Sequence, residues 1–74
     1  MTRYQLTAFL EREGDGFVAL CPELDIASQG QNVEEAKSNL KEAVNLFLEF
    51  ADPREIQDRL HGEVFVSQFE AVGG

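Results

Sequence analysis

Five carboxylates stand close together early in the chain. Glu11, Glu13 and Asp15 surround one glycine-rich turn, and Glu23 and Asp25 lie in the loop that follows. A two-metal nuclease uses this residue type, because paired cations about 4 Å apart need carboxylates converging on them from rigid neighbouring elements. Here the five fall on loops and on the solvent side of a strand, in a chain with 14 acidic residues to distribute. They read as a solvated surface whose summed field steers a basic partner and raises the rate of encounter. His61, the single histidine, stands before Gly62 as a helix-end residue, favourable there when protonated. No recognisable motif ties a serine or a second thiol to it. Cys21, flanked by Leu20 and Pro22, reads as a small buried apolar residue. A lone cysteine closes no internal disulfide, and the Cys/His spacing of a zinc site is missing. No catalytic, cofactor or metal site is expected.

Composition narrows the partners. The net charge of −8 repels phosphate backbones and anionic lipid headgroups, so direct nucleic-acid or membrane binding is not expected and a basic protein is the better match. Apolar runs are only a few residues long, far short of a membrane span or a signal-peptide core, which predicts a cytoplasmic protein. With 74 residues the chain makes one domain, 1–74. Chains of this size bury only about 60% of their unfolded surface, so a self-complementary interface would add needed core.

The elements that must position these residues are organised around residues 32–51. Val33, Ala36, Leu40, Ala43, Val44, Phe47, Phe50 and Ala51 recur at the three-and-four spacing of one helix face. Asn32 is placed to cap the first turn, Glu35 to reach back, and Asp52-Pro53 to stop the helix. Before it, Tyr4, Leu6, Ala8 and Leu10 alternate with polar residues as a strand. Gly14-Asp15 forms a two-residue loop. Residues 17–21 then return with Leu10 opposite Ala19 and Ala8 opposite Cys21. Residues 26–29 make a short edge strand. After the main helix, Asp52, Pro53 and Glu55 start a second helix of about two turns, which Gly62 can close in a left-handed conformation. Residues 63–70 are expected as a last strand, with Val64 and Val66 on one face and Phe65 and Phe69 on the other. Residues 71–74 form a flexible tail. The predicted architecture is α+β: an antiparallel sheet in β-β-β-α-(short α)-β order with one main helix on one face.

The run 11–24, ERE-GDG-FVALCPEL, followed by Ser28-Gln29-Gly30, Glu34-Glu35-Ala36, Asn39-Leu40 and Glu42-Ala43, resembles the HicB-like antitoxin domain. The likeness extends in register from about Tyr4 to Glu49. It implies a partial ribonuclease-H-like fold and a dimer or higher oligomer. The implied partner is HicA, a small basic ribonuclease whose active site such domains cover in type II toxin–antitoxin pairs. Many members continue into a DNA-binding segment. This sequence stops at Gly74 and reads as a stand-alone short form. It also has Asp25-Ile26-Ala27 where the family often has a proline-glycine or glycine-cysteine pair.

Both faces of the predicted sheet are apolar, while one helix covers only one. Phe9, Val18, Leu20, Phe65 and Phe69 are therefore the candidate interface, with Glu11, Glu13, Asp15, Glu23 and Asp25 as candidate steering charges. The same fold without a toxin, an orphan oligomeric domain, is the alternative. A reading from another class rests on Gly73-Gly74, since ubiquitin-like sulfur carriers are small, acidic and end in two glycines. Such carriers run strand, strand, helix, strand, strand, whereas this sequence predicts three strands before the main helix and one after.

Overall fold

The computed structural model describes residues 2–74. Its first element pair is a hairpin of β1 (Phe9–Glu13) and β2 (Gly16–Cys21), joined by Gly14 and Asp15. Gly14 takes φ +58°, the left-handed value that a glycine reaches without steric cost. The register places Leu10 opposite Ala19 and Phe9 opposite Leu20, as the alternation predicts. Strand β3 (Ile26–Gly30) pairs antiparallel with the far side of β2, so the sheet order is β1-β2-β3.

Helix α1 (Val33–Phe50) starts where its cap predicts. The Asn32 side chain accepts from the Glu35 N–H at 2.8 Å. The Glu35 carboxylate accepts from the Gln31 N–H at 3.2 Å, one residue earlier than the reciprocal box requires. The helix lies on the face of the sheet that carries Ala19 and Cys21. Small residues allow a close approach. A Cβ on Gly30 would stand 2.8 Å from the Glu35 carbonyl carbon and 2.9 Å from Ala36 Cα, inside van der Waals contact with the helix backbone. Asn39 fastens the same junction by donating from Nδ2 to the Gln29 carbonyl at 2.8 Å. The core between the layers is Ala19, Cys21, Leu24, Ala36, Leu40 and Val44.

Helix α2 (Pro53–Leu60) begins with Asp52 accepting from the Arg54 N–H at 2.8 Å and proline in the first turn. Ile56 is buried, and Leu60 packs on the core. Arg59 fixes the helix in place. Its Nη1 donates to the Leu24 carbonyl, its guanidinium sits 4.6 Å from the Phe47 ring centroid, and it pairs with Glu55 at 3.3 Å.

Four expectations are corrected. First, the leading strand does not start at Tyr4 but at Phe9. Strand β2 ends at Cys21, and Pro22 has no N–H to extend the ladder, so residues 3–8 run on without a backbone partner on that side. Second, Phe50 leaves the buried stripe and is 78% exposed, with Val33 also exposed. An α1 of 18 residues spans about 27 Å, whereas five- and six-residue strands span about 17–20 Å, so its ends overhang the sheet. Third, Gly62 does not take positive φ, and α2 closes through His61 in a right-handed conformation whose N–H donates to the Gln57 carbonyl at 3.0 Å. Fourth, no strand forms over residues 63–70, which lie outside any helix or strand and are exposed throughout. The principal extents of 49 × 28 × 17 Å and a radius of gyration of 14.4 Å, against about 11 Å for a compact chain of this length, reflect an arm that leaves the body.

Candidate functional site

Over Ala19 and Ala36 the helix closes its face of the sheet, which leaves the opposite face open. On the opposite face Phe9 faces Leu20, which faces Ala27, and Glu11 faces Val18, which faces Gln29. Helix α1 packs on the other side. A shallow depression of about 530 Å³ lined by Phe9, Leu10, Glu11, Val18, Leu20 and Ala27 marks this open face. Three of the predicted interface residues, Phe9, Val18 and Leu20, are thus brought together. Phe65 and Phe69 are not: they ride on the unpaired arm, 84% and 89% exposed. With no fourth strand in the sheet, nothing carries them to that face of their own chain.

The carboxylates divide between the two ends of the sheet. Glu13 and Asp15 lie at the β1–β2 turn, where they line a recess of about 510 Å³ with Glu35 from the first turn of α1. Glu11 stands on the open face. Glu23 and Asp25 lie at the far end, in the β2–β3 connection. Among the described residues no group of three or more His, Cys, Asp or Glu side chains is placed to hold a metal ion.

Glu23 has a structural task that its surface reading missed. Its carboxylate accepts from the Thr7 N–H at 3.1 Å and from the Thr7 hydroxyl at 2.6 Å, tying the N-terminal segment to the β2–β3 connection. Burial pushes the Glu23 carboxyl upward. The hydrogen bonds from Thr7 and from backbone N–H groups outweigh burial and hold it below the usual carboxylate range. Cys21 is 1% exposed, with its Sγ 3.6 Å from the same carboxylate. Burial raises its pKa, and the neighbouring Glu23 adds to the effect, so the thiol is a poor nucleophile. Asp25 holds φ +55°, a conformation that an aspartate tolerates better than most side chains.

A groove that the sequence does not single out runs between the N-terminal segment and α1, with a volume of about 580 Å³. Its floor is apolar, with Leu6, Ala8, Leu40, Val44 and Leu48. Arg3, Lys37 and Lys41 also line it, three of the chain's six cations. The one sequence signal for it is the i, i+4 spacing of Lys37 and Lys41, which sets both on one flank of the helix.

Over 47 residues the chain is 45% identical to the UPF0150 protein ssl0738 of Synechocystis, a match covering 61% of this chain and 65% of that protein. No family model matches the chain, and no solved structure matches it. Among the described residues no helix is long and apolar enough to cross a membrane.

Proposed function

We propose that this chain is a non-enzymatic, HicB-like antitoxin module of the cytoplasm that self-associates and neutralises a small basic ribonuclease of HicA type by covering its active site. The observation that carries this reading is the open sheet face, where Phe9, Val18, Leu20 and Ala27 form an apolar patch on an otherwise acidic protein. An apolar centre with charge around it suits a protein partner: burial supplies affinity, and the negative field speeds the approach of a basic surface. The likeness to a UPF0150 protein, a HicB-like family, supports the same reading, as does the order of three strands before the main helix. The single unpaired, buried Cys21 agrees with a reducing compartment.

The test is a pull-down with a basic HicA-type ribonuclease, followed by RNA cleavage with and without the chain. The expected result is a stable complex and suppressed cleavage, with Phe9→Asp or Leu20→Asp weakening both by at least tenfold. A ribonuclease that neither binds nor loses activity would remove the antitoxin reading and leave an orphan oligomeric domain of the same fold.

A further inference from the structure

The chain leaves two things unpaired that complement each other. One is the arm, residues 63–72. Valine and phenylalanine alternate along it, it carries Glu63 and Glu70, and it forms neither strand nor helix. Val66 is 57% exposed, and Phe65 and Phe69 are more so. The other is the segment 3–8: among the described residues its backbone makes no hydrogen bond to another backbone group, and it is held by the Thr7–Glu23 pair and by Leu6 and Ala8, which pack against the core. Along that segment lies the groove, apolar at Leu6, Val44 and Leu48, with Arg3, Lys37 and Lys41 beside them. No residue of the arm lines it.

We infer that residues 64–69 of one copy add as a strand along residues 3–8 of a second copy, with the reverse exchange at the symmetry-related site. Charge selects the occupant: in a chain of net charge −8, three cations gather where an acidic arm would lie. Side-chain size orients it. Val64 and Val66 enter the narrow groove beneath α1, while Phe65 and Phe69 emerge on the opposite face, in line with Phe9. The arm starts at Gly62, directly after a helix held by Arg59, so exchange needs only one pivot. A reciprocal exchange closes both unpaired edges at once, the isologous solution for a small domain that lacks core of its own.

This inference rests on the self-association in the functional reading and not on the ribonuclease. Its test uses the full chain. Sedimentation at micromolar concentration is expected to show a dimer. A mixture of two differently isotope-labelled copies is expected to give interchain contacts between the Val66 methyls and those of Leu6 or Leu48. Val66→Pro removes the N–H and ring-blocks the strand at a position exposed in the single chain. It is expected to weaken dimerisation at least tenfold while the helical part of the far-UV circular dichroism stays unchanged. A monomer, a dimer indifferent to Val66→Pro, or contacts of the arm confined to its own chain would each overturn the exchange. Loss of ribonuclease binding with an intact exchanged dimer would instead count against the antitoxin reading alone.

Discussion

Strand β2 and the arm carry the same kind of sequence. GFVALC and VFVSQF are both largely apolar over a strand's length, so both carry apolar side chains on two faces. Yet β2 is paired on each side and covered by α1, with Ala19 and Cys21 fully buried, whereas the arm has neither partner nor cover. The difference lies outside the two segments. A β-strand is stabilised by neighbours rather than by its own residues, so the pattern states a capacity that only an available edge and a covering layer turn into structure.

Three substitutions sharpen this contrast. The largest effect belongs to the junction that brings the cover down on the sheet. Gly30→Ala puts a methyl group against the backbone of Glu35 and Ala36, and helix and sheet must separate to admit it. A loss of about 2–3 kcal/mol is expected, read by urea denaturation followed by circular dichroism. A change below about 0.5 kcal/mol would mean that the α1–β3 approach is looser than described.

Glu23→Gln comes next, because it removes the charged acceptor that holds residues 3–8 where β2 no longer reaches. The expected cost near neutral pH is about 1 kcal/mol, modest because the site is partly exposed. The pH dependence has a definite sign. The carboxyl is held lower in the folded than in the unfolded chain, so the native state binds fewer protons there. Its contribution is complete above the ordinary carboxylate value of about 4.3 and disappears as pH falls through the depressed one. The wild-type chain should therefore lose stability across that acidic range, and Glu23→Gln should flatten that part of the curve.

The smallest effect is expected for Phe69→Asp. In solutions too dilute for association, a residue 89% exposed on an unpaired segment should change stability by less than about 0.5 kcal/mol, against the several lost when a phenylalanine is removed from a core. Equal stability in dilute solution together with a loss of self-association at higher concentration would locate the role of this aromatic between chains.

Most of the body is legible in the sequence because local signals and periodicity agree there. Asn32 and Asp52 mark the helix starts, Gly14-Asp15 sets the hairpin, and the resulting register places Leu10 opposite Ala19 as expected. What escapes depends on distances that sequence does not encode. Leu24 reads as a loop residue between two acids, yet it is fully buried because its connection folds under α1 and is fastened by Arg59. The overhang of Phe50 follows from comparing helix length with strand length. The open face is legible in Phe9, Val18 and Leu20, which alternation sets together. Placing Phe65 and Phe69 on it assumes that every alternating segment finds an edge within its own chain. The groove escapes because its two flanks, residues 3–8 and 37–48, are far apart in the sequence and Lys37 and Lys41 resemble ordinary surface lysines.

The burial of Cys21 gives the protein a built-in gauge of its own opening. The chain has no tryptophan, so its fluorescence reports little, but it has one thiol, and that thiol is sealed between sheet and helix at 1% exposure. A thiol reagent can reach it only in molecules where the core around it has opened, by parting of the two layers or by release of residues 3–8 from the groove that Cys21 lines. Its labelling rate, compared with that of the unfolded chain, counts those molecules directly.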